Sequence, residues 1–387
     1  MPHPHSLKKL RETSSATSVK QRRRITFLVA LAFFAGMLFF FLKSTPPKTV
    51  NVYCWYQTLP PSVLADFTKE TGIHVRLDFF DNNEIVETKL LAGNSGYDVV
   101  LPTIVPYVAR QIKAGALQKI EKEKLSNFDQ VDPHLINQVQ TADPGLGYCI
   151  PYTWGTFGFS YNADMIKKRF PNAPTDSYAM LFDPEVVKKF QDCGVTLLEE
   201  ATDIYPQVMN FMGINPLSDN KKDLHHVHDK LFEIRPYIRR FSTSRAMTEL
   251  VAGETCLAQS WSGDIQVGIR EAKALGRDIR YVIPKEGSAL WIDVLVIPKN
   301  APNIDHAHMF INYILRPEIA AKISEYCFLT TSVREAKKHL PKDFLEEPCF
   351  NIGDEVMKKL TLDKEQDINY ERERNRLFTN FRMNRRV

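Results

Sequence analysis

The sequence predicts an α/β protein whose open sheet follows a single membrane-crossing helix. Strand-like and helix-like segments alternate from residue 49 onwards, which is the pattern of an open α/β sheet. Residues 25–42 form an uncharged run of eighteen residues, enough for a helix of about 27 Å against a bilayer core of about 30 Å. The chain of 387 residues, 44% of them hydrophobic, is long enough for two lobes with separate cores.

The residues around the apolar run predict its orientation. Three arginines, residues 22–24, precede it and Lys43 follows it. The positive-inside rule therefore places a basic tail, residues 1–24, in the cytoplasm and the rest of the chain outside. A cleaved signal peptide is the alternative, since residues 30–32 (Ala-Leu-Ala) have the small-x-small pattern. Cleavage there would leave the apolar residues 33–42 on the mature end, so we expect an uncleaved anchor.

The first part of the strand–helix alternation follows a short predicted stalk, residues 43–48, which contains two prolines. Gly72 ends the first helix, and an apolar run after Asp98 is typical of a buried strand. Ligands of such sheets bind at the carboxyl ends of the strands. We expect strands at residues 50–53, 74–80 and 98–102, and helices at 61–71, 84–92 and 108–114.

A second α/β region begins near residue 148. The aromatic stretch 148–161 alternates like a strand, but its proline and two glycines favour a connection between lobes. The region extends to about residue 287. It is followed by a predicted strand at 290–298 and by one long helix at 306–326, in which apolar residues recur with helical spacing.

The net charge of +4 for the whole chain differs from that of the part expected outside the membrane, which follows residue 43. Residues 1–43 hold eight of the 50 basic residues and one of the 46 acidic ones, which leaves 42 basic and 45 acidic residues, a balance of −3. A slightly acidic surface argues against nucleic-acid binding and suits a cationic ligand. Outside the membrane the six cysteines could pair. None forms a CxxC motif, and their spacing leaves the connectivity open.

No catalytic motif is present among those with a known mechanism. The sequence lacks GxSxG, HExxH, GxGxxG after a strand, and GxxxxGK[ST]. Three histidines, His225, His226 and His228, resemble a metal cluster, but they lie in a polar stretch beside two lysines. We therefore interpret them as a solvated helical face, and we expect neither a metal nor a cofactor.

Three of the four tryptophans lie at predicted strand ends beside acidic or turn residues. Trp55 follows the first strand, Trp261 precedes Asp264 by three residues, and Trp291 lies two residues before Asp293, on the same face of a strand. Each could be an ordinary core residue. Together they suit an elongated ammonium ligand, whose methylene chain prefers aromatic walls and whose charged heads need carboxylates.

The sequence resembles the periplasmic spermidine/putrescine-binding proteins of ABC transporters, and within them the putrescine-binding branch. The matching motifs keep the family's order over about residues 49 to 335. They are Cys54-Trp-Tyr-Gln-Thr-Leu-Pro-Pro61, Phe67-Thr-Lys-Glu-Thr-Gly72, Tyr97-Asp-Val-Val-Leu-Pro102, Ile150-Pro-Tyr-Thr-Trp-Gly155, Trp261-Ser-Gly-Asp264, Pro284-Lys-Glu-Gly287, Trp291-Ile-Asp293 and Ile311-Asn-Tyr-Ile-Leu-Arg-Pro317.

The resemblance implies a set of ligand-binding residues and one disulfide. The aromatic walls fall on Trp55, Trp261 and Trp291, and the amine-binding carboxylates on Asp264 and Asp293. A third acidic position aligns with Asp203, with Glu200 as the weaker candidate, and Thr103 matches a serine of the family's cleft. The putrescine-binding branch has a cysteine pair at the positions of Cys193 and Cys256, which implies a disulfide between them.

The sequence departs from the family at some cleft positions. Where relatives carry a tyrosine or another cleft residue after the first strand, this chain has Tyr56, Gln57 and Thr58. We include Tyr56 and Thr58 among the expected binding residues. A downstream cleft tyrosine corresponds to Leu329. These changes leave the ligand class intact and leave open which amine is bound.

The resemblance also implies a two-lobe periplasmic-binding-protein fold of type II, with the ligand cleft between the lobes. Lobe 1 would comprise residues 49–152 and 289–326, and lobe 2 residues 153–288 and 327–387. The expected partners are a polyamine and an inner-membrane ABC permease, at the periplasmic face of a bacterial inner membrane.

Two other functions stay open on the sequence. One is a binding protein of the same fold, or a tethered sensor, for another small cationic solute. The other is an extracellular enzyme in which Asp264 and Asp293 act as an acid–base pair. We favour a non-enzymatic binding protein, because the matched positions supply carboxylates beside aromatic residues.

Overall fold

The structure, a computed structural model, describes residues 47–386 except Pro348 and Asn351. The basic tail 1–24 and the predicted anchor 25–42 lie outside these described residues. Within the described part of the chain, no helix is long and apolar enough to cross a membrane.

The strands of the described residues are β1 (Thr49–Trp55), β2 (His74–Phe80), β3 (Val99–Val100), β4 (Leu117–Gln118), β5 (Cys149–Asn162), β6 (Val195–Leu197), β7 (Arg240–Phe241), β8 (Leu257–Trp261), β9 (Ile279–Val282), β10 (Ser288–Pro298), β11 (Thr330–Thr331) and β12 (Leu360–Leu362). They form a mixed sheet in the order β2-β1-β3-β10-β5-β8-β6-β7, with β4 and β12 beside β10 and with β9 and β11 beside β5. Strand β1 runs parallel to both β2 and β3, as the predicted alternation requires.

Strand β5 connects the two halves of this sheet. Its first part, from Cys149 to Thr156, pairs antiparallel with β10, and its second part, from Phe157 to Tyr161, pairs antiparallel with β8. All fourteen of its residues are buried. The predicted connection at 148–161 is therefore a continuous strand that changes partner after Thr156.

The helices pack on both sides of the sheet, and their ends follow local sequence signals. The first begins at Pro61, whose ring presets the helical φ, and ends at Gly72, whose φ of 71° closes the last turn. They are α1 (Pro61–Thr71), α2 (Asn83–Leu91), α3 (Ala109–Lys113), α4 (Pro133–Val139), α5 (Ala163–Arg169), α6 (Ala179–Phe182), α7 (Pro184–Val187), α8 (Ala201–Met212), α9 (Lys221–Ile234), α10 (Ala246–Ala252), α11 (Ser262–Ala274), α12 (Ile304–Ile314), α13 (Pro317–Cys327), α14 (Lys342–Leu345), α15 (Asp354–Met357) and α16 (Ile368–Arg382).

Two predicted elements differ from the structure. The single helix expected at 306–326 is divided into α12 and α13, because Pro317 forces Arg316 into extended backbone with a ψ of 135°. The strand expected at 98–102 is paired only at Val99–Val100. Beyond it the chain turns towards β10, where the Val294 N–H donates to the Pro102 carbonyl over 2.9 Å.

Separate hydrophobic cores lie in the two halves of the sheet. In the first half, Phe67 and Phe310 pack edge to face at 5.4 Å, among other buried residues of β1, β10, α1 and α12. In the second half, Phe159 and Tyr178 are fully buried beside residues of α8, α9 and α16. Val333 packs with the first core, although the expected boundary at 327 assigns it to lobe 2. The lobe bounds stay predictions.

Cys193 and Cys256 are joined by a disulfide, with Cα atoms 5.5 Å apart, in agreement with the predicted pairing. Cys193 lies two residues before β6 and Cys256 directly before β8. These strands are parallel neighbours, so the bridge joins the starts of two adjacent strands in the second half of the sheet.

Candidate functional site

One face of β5 brings together three residues from two distant parts of the sequence. In the strand register Asp293 lies opposite Thr153, Trp291 opposite Gly155, and Trp261 opposite Phe157. Thr153, Gly155 and Phe157 are two residues apart and share a face, and directly opposite residues of an antiparallel pair point the same way. Asp293 and Trp291 of β10 and Trp261 of β8 therefore flank one face of β5.

The two indoles lie close together on this face. The ring centroids of Trp261 and Trp291 are 6.5 Å apart, and Trp261 packs on Phe157 at 4.4 Å. Gly155 makes the arrangement possible, because a Cβ atom there would lie 2.4 Å from Cζ2 of Trp291. Neither indole N–H has an acceptor among the described residues. The result is a continuous aromatic wall of three rings.

Asp293 is a buried carboxylate at one end of this wall. It is 6% exposed, and the hydroxyl of Thr103 donates to its Oδ1 over 2.7 Å. Thr103 and Asp293 also form an isolated antiparallel bridge. The register shifts directly after Asp293, and such an irregularity re-aims a side chain. Asp293 is thus held in one direction at the middle of β10.

Burial shifts the protonation equilibrium of Asp293 towards its neutral form. Burial raises the pKa of Asp293 to about 7, while the Thr103 hydroxyl and the neighbouring Trp55 indole oppose this rise. Burial also raises the pKa of the Cys327 thiol to about 12, with a smaller contribution from Asp293. Because a nearby positive charge stabilises a carboxylate, an ammonium group would restore the charge of Asp293.

Trp55 lies next to Asp293, and the two nearby residues Tyr56 and Thr58 differ in their burial. Trp55 ends β1 and packs on Phe80 at 4.5 Å. Thr58 is buried, and its hydroxyl donates to the Trp55 carbonyl over 2.9 Å, so it closes the turn after β1. Tyr56 is 69% exposed and meets Phe79 edge to face at 5.4 Å. The binding roles predicted for Tyr56 and Thr58 stay predictions.

Asp203 is a second buried carboxylate, in the first turn of α8. It is 7% exposed, and its Oδ2 has no hydrogen-bond partner among the described residues. Burial, reinforced by Glu200, raises the pKa of Asp203 to about 8. Gln259 donates to the Asp203 carbonyl over 3.3 Å and lies two residues before Trp261 on β8. Asp203 is therefore tied to the strand that carries Trp261, whereas Glu200 is exposed at the start of α8.

Asp264 and Leu329 lie in neighbouring segments. Asp264 belongs to the first turn of α11, and its side chain is outside the described part of the chain. Leu329 approaches Gly263, the residue before Asp264, since a Cβ on Gly263 would lie 2.3 Å from Cδ2 of Leu329. An apolar side chain therefore borders the start of α11, at the position where the resemblance implied a tyrosine.

Asn83 is a residue of this neighbourhood that the sequence analysis did not identify. It is 8% exposed and begins α2, and it exchanges two hydrogen bonds of 3.1 Å with Thr103. In the sequence, Asn82-Asn83-Glu84 is typical of a helix start. The local sequence does not distinguish Asn82, which caps the helix, from Asn83, which contacts Thr103.

The three histidines of α9 are not equally solvated, which corrects the prediction of a solvated face. His225 is half exposed and meets Glu373 at 3.2 Å. His228 is 4% exposed and packs on Phe232 at 4.8 Å, because it lies on the face of α9 that covers the second core. Among the described residues, no group of three or more His, Cys, Asp or Glu could hold a metal ion.

A cavity of about 430 Å³ lies elsewhere in the molecule. Its lining includes Trp154, Thr331, Arg334 and Lys358, and none of the predicted site residues. We place the candidate site at Asp293 and the aromatic wall, because buried carboxylates beside aromatic rings are the groups that an ammonium ligand requires.

Comparison with known proteins gives a consistent result. The family model of bacterial extracellular solute-binding proteins matches residues 62–348. The putrescine-binding periplasmic protein SpuD of Pseudomonas aeruginosa is 39% identical over 84% of this chain and 89% of its own length. PotF of Escherichia coli, also a putrescine-binding periplasmic protein, is 36% identical over 86% of this chain and 90% of its own length.

Solved structures share the fold. The spermidine/putrescine ABC transporter substrate-binding protein PotD of Streptococcus pneumoniae superposes with a TM-score of 0.79 at 28% identity, and the match covers 88% of this chain and all of that one. The fold and the site together define an α/β solute-binding protein with two lobes. The chain belongs to the family of bacterial extracellular solute-binding proteins, in the group that includes the periplasmic putrescine- and spermidine-binding proteins.

Proposed function

We propose that this protein captures an aliphatic polyamine of the putrescine and spermidine class and delivers it to an ABC permease of the bacterial inner membrane. The observation that carries the proposal is the buried carboxylate of Asp293 at the end of the aromatic wall of Trp291, Trp261 and Phe157. Several relatives of similar length are named as putrescine- or spermidine-binding periplasmic proteins.

The chemistry of the site fits the two parts of a polyamine. A protonated amine loses water on entering the cleft, and this loss is offset only if a carboxylate replaces the water. Asp293 supplies this group for one ammonium. The methylene chain then packs along the indoles. Where an ammonium group lies over a ring face, that face adds roughly 0.5–2 kcal/mol to binding.

A second carboxylate serves the other end of the ligand in this proposal. Among the described residues, Oδ2 of Asp203 has no hydrogen-bond partner, and the pKa of Asp203 is raised to about 8. An arriving ammonium would therefore ionise Asp203 as it ionises Asp293. Asp264 is the third carboxylate of the proposed set, and Glu200 acts on Asp203 through its charge. Trp55 and Thr103 complete the surroundings of Asp293, and Tyr56 and Thr58 are proposed to line the approach to it.

The proposal places residues 49–387 on the outer side of the inner membrane. The uncleaved anchor formed by residues 25–42 is a further part of it and rests on the sequence. A tether of this kind would keep the binding lobes close to their permease and raise their effective concentration there.

Calorimetric titration of the purified full-length protein with putrescine, cadaverine, spermidine and spermine tests the function. We expect micromolar or tighter binding of at least one of these amines. If none of the four binds while a neutral or anionic solute does, the proposal is wrong.

A further inference from the structure

The two hydrogen bonds between Asn83 and Thr103 fix the orientation of the Asn83 amide. The backbone N–H of Thr103 can only donate, and its partner over 3.1 Å must therefore be the amide oxygen of Asn83. This contact places the amide NH2 group of Asn83 next to the hydroxyl oxygen of Thr103, 3.1 Å away. The NH2 group can only donate, so the Thr103 hydroxyl oxygen accepts from Asn83.

The direction of the Thr103 hydroxyl follows from the same contacts. Its oxygen accepts from Asn83, which leaves its single hydrogen free for another partner. That partner is Oδ1 of Asp293, 2.7 Å away, and in the ionised form of Asp293, the form that binds an ammonium group, the carboxylate can only accept. The chain Asn83, Thr103, Asp293 therefore has one consistent direction of donation, from the amide through the hydroxyl to the carboxylate.

We propose that Asn83 is a positioning residue for ligand binding, which acts through Thr103 to hold the Asp293 carboxylate in its amine-binding direction. The inference rests on the proposed function. Asn83 itself needs no contact with the ligand. Without its donor, the Thr103 hydroxyl can rotate away, and a buried carboxylate that loses its fixed donor becomes both less oriented and harder to ionise.

The neighbouring asparagine provides a matched control. Asn82 precedes α2, and its side chain accepts from the Ile85 N–H over 2.9 Å as an exposed helix cap. Replacing either asparagine by alanine removes a polar group at the start of the same helix. Only Asn83 contacts Thr103, so the two substitutions separate a role in ligand positioning from a role in helix stability.

The test is a set of calorimetric titrations with putrescine on the full-length protein. Asn83→Ala is introduced into the wild type, into Thr103→Ser, which keeps the hydroxyl, and into Thr103→Val, which removes it. We expect Asn83→Ala to weaken binding roughly two- to tenfold in the first two backgrounds, the effect of one hydrogen bond. Asn83→Ala should leave the affinity for putrescine unchanged in the Thr103→Val background, where the hydroxyl is already absent. Asn82→Ala should lower the thermal midpoint and leave affinity unchanged.

A second substitution covers the case in which Asn83→Ala does not fold. Asn83→Asp keeps the acceptor for the Thr103 N–H and loses only the donor, and its added charge acts equally in the Thr103→Ser and Thr103→Val backgrounds. Comparison of these two backgrounds therefore isolates the contribution of the donor.

The outcomes distinguish this inference from the function on which it rests. An equal loss of affinity in all three backgrounds, or no loss in any, overturns the positioning role alone. If the wild-type protein binds none of the amines, the proposed function is overturned and this inference with it.

Discussion

Trp261 and Trp291 lie 6.5 Å apart, centroid to centroid, although they belong to strands that do not pair with each other. The reason is that β8 and β10 flank β5 at adjacent positions of one face, Phe157 and Gly155. The glycine lets the Trp291 indole lie over the strand, and the phenylalanine supports Trp261. The shape of the aromatic wall therefore depends on the absence of a side chain at Gly155.

We expect Gly155→Ala to weaken amine binding by roughly tenfold or more. The new methyl group would lie 2.4 Å from Cζ2 of Trp291 and 2.5 Å from Oγ of Ser262, so the indole must move, and overpacking of this kind costs about 1–3 kcal/mol. Gly147→Ala is the control, because its nearest neighbour would be 3.9 Å away. Titration with putrescine measures both variants, and equal affinities would show that Trp291 does not contact the ligand.

Asp293→Asn should weaken binding more than any single aromatic substitution. Loss of the carboxylate leaves a buried ammonium without its charged partner, roughly 2–5 kcal/mol, against about 1–2 kcal/mol for one ring face. Titrations of Asp293→Asn, Trp55→Leu, Trp261→Leu and Trp291→Leu rank these effects. A mutant of Asp293 with unchanged affinity would remove this residue from the site.

The affinity for a polyamine should rise with pH between about 6 and 8. The ionised carboxylates bind the ammonium, and the pKa values of Asp293 and Asp203 are raised to about 7 and about 8. Below these values each protonated carboxyl group weakens binding by up to about tenfold per pH unit. Titrations in buffers of different ionisation enthalpy should also detect protons released on binding. A flat profile over this range would show that neither carboxylate contacts the amine.

In the ligand-free protein, Asp293 should contribute to stability with the opposite pH dependence. The pKa of Asp293 is higher in the folded state than its ordinary value of 3.8, so this carboxyl group holds its proton more strongly in the folded protein than in the unfolded chain between pH 4 and 7. The contribution of Asp293 to the free energy of unfolding therefore falls as the pH rises through this range. Asp293→Asn should stabilise the ligand-free protein at pH 8 by on the order of 2–4 kcal/mol. Denaturant unfolding without ligand measures this, and a destabilised mutant would contradict it.

Reduction of the Cys193–Cys256 disulfide should destabilise the protein. The bridge joins residues 63 apart in the sequence, and chain entropy alone gives about 4 kcal/mol for a loop of this size. Denaturant unfolding with and without a reducing agent measures the difference. Thiol counting on the oxidised, denatured protein should give four free thiols out of six cysteines, and a count of six would exclude the bridge.

The mature protein should keep its N-terminal segment and sediment with the membrane fraction. The prediction rests on the sequence, where residues 25–42 are long enough to span a bilayer and follow three arginines. Cell fractionation with N-terminal sequencing of the mature protein checks it. A soluble periplasmic protein that begins after Ala32 or later would show that the segment is a cleaved signal.

Local patterns in the sequence were sufficient for the order of the elements and for part of the site. The helix Pro61–Thr71 and the strand His74–Phe80 have the predicted bounds, because Pro, Gly and hydrophobic periodicity act within a few residues. Trp291 and Asp293 share a face, as the two-residue period of a strand requires. The long helix was predicted wrongly, since the apolar spacing continues across Pro317 and hides the break.

The tertiary structure decided which distant residues meet. Neither the position of Trp261 beside Trp291 nor the contact of Asn83 with Thr103 is encoded in local spacing, because each depends on strand pairing between segments far apart in the chain. The burial of Asp203 and Asp293, which sets their pKa values, likewise arises only when the helices and strands around them pack. The sequence by itself thus determined the order of the elements and the chemical types of the proposed binding residues. The fold determined their distances, their hydrogen-bond directions and their charge.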